Sequence, residues 1–438
     1  MKKLITVGVI LLFLGSSTSA LAYSDEKSLI PSSSGNTLYV GGSGPGNYTK
    51  IQDAINVSSD GDTVFVYNYS SPYFEHLVIA KEINLVGQNT LTTIINGCEN
   101  YSVILVKASN VTITNFTLQN GEFCVTNPWY PTQGGRNNVF TRLKLEPIMW
   151  GMGIFLHGIV VDNEIAYCFV GNSSEGIHLG AVDDIIKKGD KIHDNTIFNN
   201  SMGICQTGPG SDPCFIYNNT IISNGDGVLF FSPNHVFTNN TVTKNQCGVY
   251  LTNIAEQGVM GGRNIIIRNN NFSENKVALS IQEENNLVTG NLFRQNDKGL
   301  ILSSNVDDGC SAKNNFVQGN IFIKNKLGIY LGPSSYDYCI KILKVVNNTI
   351  YINNFIKNRV QALCCDKNKW ENNYWDDWMG IHVDACSAFP KLIFGYFHPL
   401  LWLCNKFELP DICNLLYLPR ISCDWHPAKE PYNIPTKN

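Results

Sequence analysis

The stretch Asn219-Thr-Ile221-Ile-Ser-Asn224-Gly-Asp-Gly227-Val-Leu-Phe230, followed at once by Asn240-Thr-Val242-Thr-Lys-Asn245-Gln-Cys-Gly248-Val-Tyr-Leu251, decides the fold. Both read Asn, any residue, apolar, two of any, Asn, and both carry Gly eight residues after the first Asn, ahead of a short apolar strand. The same pattern begins at Asn195, Asn270, Asn291, Asn320 and Asn353, with successive starts 24, 21, 30, 21, 29 and 33 residues apart. Gly203, Gly299 and Gly328 repeat the glycine, and degenerate copies reach upstream to Asn163 and Asn138. A repeat of this length without helical periodicity is the mark of a β-solenoid. One coil of a parallel β-helix holds three short strands, and successive coils stack about 4.8 Å apart, so equivalent residues form ladders.

The expected fold class is therefore all-β: a right-handed parallel β-helix with a helical cap at its N-terminal end and an irregular cap at the other. Asn is expected at corners, where it tolerates a left-handed backbone and bonds its neighbours through its amide. The apolar residue two places on (Ile197, Ile221, Val242, Phe272, Phe293, Phe322, Phe355) is expected inside, and Gly at the next corner, where a Cβ would clash. The solenoid is assigned to residues 36–380. "YTKIQDAINVSSDGDTVFVYN" (48–68) supplies a short helix around Ile51, Ala54 and Ile55, then a first strand from Thr63. The Cys- and Pro-rich stretch 381–438 has no repeat and reads as a cap or an attachment tail.

Residues 1–22 read as a secretory signal: Lys2 and Lys3, an apolar run Leu4 to Leu14, and the cleavage pattern Ala20-Leu21-Ala22, with 23–35 as a linker. The apolar run is short for a span. The expected product is exported, to the periplasm, the cell surface or beyond, with no membrane span after signal cleavage. Only 16% of residues are charged and the net charge is -4, which excludes a polyanion-binding surface and hence a nucleic-acid partner. Fourteen cysteines in an exported chain imply some disulfides beside buried thiols such as Cys168, Cys205 and Cys247.

On each "G-I-x-L" strand the apolar pair faces in, so x and the residue after Leu face out. The first outward column then reads Phe155, His178, Cys205, Leu229, Tyr250, Ser280, Ile301 and Tyr330, and the second begins with His157. Phe155, His157, His178, Tyr250 and Tyr330 are the candidate ligand-binding residues, because sugars stack on aromatic rings. The alternative is that inserted loops cover them. The insertions after this strand are acidic. Asp183, Asp184, Asp307 and Asp308 are candidates for a rim that would bind calcium or supply a carboxylate pair for glycoside cleavage. Solvated loop acids are the alternative. A lyase would need a basic group, for which Arg263, Arg268 and Lys341 are available.

The segment "IQDAINVSSDGDTVFVYN" with "INLVGQN", and the Asn/Gly coils, resemble the NosD-like β-helix family and, more loosely, β-helical carbohydrate-active enzymes. The resemblance spans roughly residues 36–380 and rests on structural residues of the coil, so it identifies fold better than activity. It implies a role in maturing a periplasmic copper enzyme, with copper as the metal. Soft-metal sites need clustered Met, Cys or His. The six methionines are scattered, and Met149 and Met152 in "MWGMG" read as core rather than ligands. The sequence places a binding or structural module first, for which a polysaccharide or surface glycan is the partner. A polysaccharide lyase or glycoside hydrolase follows, then a copper factor.

Overall fold

The computed structural model describes residues 35–128, 136–158, 160–181, 189–208, 213–253, 261–305, 309–333, 344–379, 382–383, 386–387, 390–397 and 418–436. The proposed signal and linker lie outside them, as do Asp183, Asp184, Asp307 and Asp308. From Ser34 onward the chain is one compact unit. It is a right-handed parallel β-helix. Each coil has three short strands, such as Phe215–Tyr217, Thr220–Ile222 and Asp226–Phe230, and each pairs in parallel with its counterpart one coil on.

The inward apolar column is as the repeat requires. Ile197, Ile221, Val242, Phe272, Phe293, Phe322 and Phe355 are fully buried. Phe272, Phe293, Phe322, Phe355 and Trp375 stack ring on ring, with centroids 4.9, 4.7, 4.9 and 4.2 Å apart. Beside them run the amide ladders. In most steps the ladder Asn offers its Oδ1 to the backbone N–H and Nδ2 of the Asn one coil earlier, as Asn240 does for Asn219 at 2.9 and 3.0 Å. The ladder groups are buried and bonded along the axis, which is what makes a polar column tolerable in the interior.

Two local expectations are corrected. The left-handed residue is the one before the ladder Asn: Asn218, Asn239 and Asn269 have φ of 56, 57 and 56°, and Lys244 and Glu274 hold the equivalent place before the second ladder. The ladder Asn itself is needed for its amide. The glycine, for its part, is at the start of the third strand of the coil and not at a corner. A Cβ on Gly203, Gly227 or Gly248 would lie 2.4 Å from a carbonyl oxygen of the following coil. The clash is real, but its source is the neighbouring strand.

At the N-terminal end the helix Ile51–Val57 buries Ile51, Ala54 and Ile55, and Glu75 accepts from the Ile51 and Gln52 amides at 2.8 and 3.0 Å. At the other end Asp424, fully buried, accepts from the Asn373 backbone N–H and Nδ2, both at 3.0 Å, and from Trp375 Nε1 at 3.1 Å. A carboxylate from the tail thus ends an asparagine ladder. Among the described residues Cys98, Cys124, Cys168, Cys205, Cys214, Cys247, Cys364 and Cys423 are free thiols.

Candidate metal centre on the third sheet

The third strands Met152–Gly158, Glu175–Ala181, Met202–Thr207, Asp226–Phe230 and Cys247–Leu251 lie side by side. Their register places Phe155, His178, Cys205, Leu229 and Tyr250 in one line, continuing through Ser280 and Ile301 to Tyr330. The column read from the sequence therefore exists. It is not an open aromatic face: Phe155 and Leu229 are each 6% exposed and Cys205 3%. Phe155 packs against Phe123, His178 and His157, at centroid distances of 5.1, 4.8 and 6.1 Å. Tyr250 and Tyr330 keep partial exposure, but their hydroxyls donate to Gln282 Oε1 (2.7 Å) and to the Pro333 carbonyl (3.0 Å).

What the column does bring together is Glu175, His178 and Cys205. One ligand atom from each lies within 4.8 Å of the others. His178 Nδ1 is 2.5 Å from Glu175 Oε2, so the carboxylate fixes the ring and its tautomer. Nε2, on the other edge of the ring, lies 3.2 Å from the Thr207 hydroxyl. A carboxylate behind an imidazole is the usual support for a metal-binding histidine. Cys205 is its register partner one coil on. Its thiol pKa is held well above the ordinary range, by burial first and then by the Glu175 and Asp226 carboxylates.

Gly180, between His157 and Thr207 in the second outward column, keeps this place open. A Cβ there would stand 2.8 Å from His157 Cδ2, 3.1 Å from Thr207 Oγ1 and 3.2 Å from His178 Nε2. Its backbone needs no left-handed angle, so the missing side chain is about space in front of the imidazole. Phe155, His157 and His178 thus converge on one site, while Tyr250 lies further along the axis and Tyr330 further still. Glu175 was missed from sequence. Strict alternation puts it on the opposite face from His178, three residues on, but the strand breaks its alternation at Gly176, and the two side chains meet.

Solved structures similar to this chain include mannuronan epimerases and alginate lyases. The A-module of mannuronan C-5 epimerase AlgE6 from Azotobacter vinelandii superposes with a TM-score of 0.57 at 15% identity, over 73% of this chain and 92% of that one. The AlgE4 A-module from the same organism gives 0.57 at 14%, over 73% and 94%. A mannuronic acid specific polysaccharide family 6 lyase from human gut microbiota gives 0.51 at 12%, over 75% and 86%. At these identities the likeness concerns the fold. No curated protein matches the chain. A family model described as periplasmic copper-binding protein (NosD) matches residues 157–297 and 232–380, a span that contains the whole Glu175–His178–Cys205 cluster. Together the two matches cover residues 157–380, just over half of the 438-residue chain, and the chain belongs to the NosD family.

Proposed function

We propose that this protein is an exported, periplasmic or surface-held β-helix that binds copper through His178 and Cys205, with Glu175 bracing the imidazole. The observation that carries the reading is the meeting of a carboxylate, an imidazole and a thiol within 4.8 Å on the outward face of neighbouring coils. Nitrogen and sulfur donors suit copper, and a ring braced by a carboxylate is preorganised to hold it. The space before His178 that Gly180 keeps free is what an ion and its approach would occupy. The family's description as copper-binding agrees with this donor set. A bound copper would supply an exchangeable metal for delivery; the chain's own part is to hold it.

The test is metal analysis and copper titration of the purified protein, compared with His178→Ala and Cys205→Ser. Each variant is expected to lose the wild type's tightest copper while keeping its β-sheet circular dichroism. Copper binding unchanged in both folded variants would refute the assignment.

A second reading, a polysaccharide platform, is favoured by the partial exposure of Tyr250 and Tyr330 and by the alginate-acting structures of the same fold. It requires glycan-array binding that falls when both tyrosines become Ala; a wild type that binds no glycan ends it. The enzymatic version, with calcium or carboxylates at Asp183, Asp184, Asp307 and Asp308, requires product release that stops in Asp183→Ala or Asp307→Ala.

A further inference from the structure

We propose that Met202 is a third donor of this centre, beside His178 and Cys205, and makes it selective for monovalent copper; this rests on the copper reading above. Met202 is the register partner of Glu175 one coil on, as Cys205 is of His178. Met202 also precedes Cys205 by three residues on one strand, as Glu175 precedes His178 on the other. In the Glu175 coil that relation brings the two side chains to 2.5 Å. Gly203 holds the place in this strand that Gly176 holds in the other, so the same break in alternation would turn Met202 toward Cys205. On this reading the site is two pairs on successive coils: an imidazole with its bracing carboxylate on one, a thioether with a thiol on the other.

The composition of that square decides the ion. An imidazole accepts Zn(II) or Cu(II) readily, whereas thioether and thiolate sulfur favour Cu(I). Met202 is half-buried, not part of the core. Met152 is the control built into the fold. It is the register partner of Glu175 on the other side, but Phe155 occupies the place beside it that Cys205 holds beside Met202. The Met152–Phe155 pair therefore has one sulfur and no second donor.

The experiment titrates the full-length purified protein with Cu(I), kept reduced and in competition with a chromogenic chelator, and separately with Zn(II). The variants are Met202→Leu, Met152→Leu and His178→Ala. Leu conserves volume and removes the sulfur. In Met202→Leu, Cu(I) affinity is expected to fall by about tenfold or more, with Zn(II) affinity unchanged. X-ray absorption of its copper should show one sulfur neighbour fewer. Met152→Leu should match the wild type with both ions. Equal Cu(I) affinity and equal sulfur count in wild type and Met202→Leu, with His178→Ala still deficient, overturn the Met202 assignment and leave the copper reading standing. Full Cu(I) binding in His178→Ala overturns both.

Discussion

Replacing His235 by Asn should make the solenoid less sensitive to acid. His235 occupies a ladder position that most coils fill with Asn: its Nδ1 accepts the Cys214 backbone N–H at 3.0 Å, as Asn286 Oδ1 accepts that of Ile265 at 2.9 Å. Its Nε2 is 2.8 Å from the Ser232 hydroxyl, and the ring is 1% exposed and stacked on Phe230. With Nδ1 accepting, the proton is on Nε2 and the ring is neutral. Burial lowers its pKa from 6.5 to about 3. A folded pKa below the unfolded one means the unfolded chain takes up the proton first. The neutral ring's contribution is therefore complete above pH 6.5 and is lost progressively as pH falls from 6.5 towards 3. At pH 5 the loss is about 2 kcal/mol, one and a half units at 1.36 kcal/mol each, and its ceiling near pH 3 is about 5 kcal/mol. Urea midpoints by circular dichroism at pH 7 and pH 5, wild type against His235→Asn, isolate this group. Glu283 works in the opposite direction: burial raises its pKa from 4.5 to about 7, so its contribution grows as pH falls through that window, equally in both proteins. The wild type should lose more stability than the variant on going to pH 5. Parallel pH slopes would refute the neutral ladder role.

Asn291→Asp keeps the size of a central ladder rung but removes its donors to the Ile267 carbonyl (2.9 Å) and to Asn320 Oδ1 (3.0 Å). A buried carboxylate then faces an oxygen it cannot bond, and thermal unfolding should show a loss of about 2–4 kcal/mol. Gly180→Ala meets only side-chain atoms, so the melting temperature should hold while copper affinity drops, read by the same titration as the triad variants. By contrast, Gly227→Ala drives a Cβ to 2.4 Å from the Gly248 carbonyl oxygen, and thermal unfolding should show it destabilised.

The stacking order was legible because a ladder repeats one chemical need at every coil. Asn219, Asn240 and Asn291 must each present an amide, so their spacing reports the coil, and the columns through His178 and Cys205 follow by counting. The left-handed position was not legible, since Asn218-Asn219 and Asn239-Asn240 put two asparagines together and only one carries the ladder. Lys244 and Glu274 at the left-handed place show that this φ, unlike the amide, tolerates many residues. The burial of Phe155 was hidden for another reason. It depends on Phe123 and His178 from neighbouring coils closing over it, which a single strand's pattern does not record.

The proposed metal centre falls where the repeat departs from itself. Along the inward column that reads Leu156, Leu179, Gln206, Phe230 and Leu251, one position is polar: Gln206, buried, with its Oε1 unbonded. An unbonded buried amide oxygen costs about 1–3 kcal/mol, and an apolar residue serves the same place in the coils on either side. Gln206 directly follows Cys205, a buried thiol in an outward column. Both departures fall on the Met202–Thr207 strand, and the Glu175–Ala181 strand beside it contributes the carboxylate, the imidazole and Gly180. Stability alone would favour an apolar residue at 206 and does not require an open place at 180. Irregularities gathered on two adjacent strands, at a cost to the coil, are what a site imposed on a solenoid leaves behind.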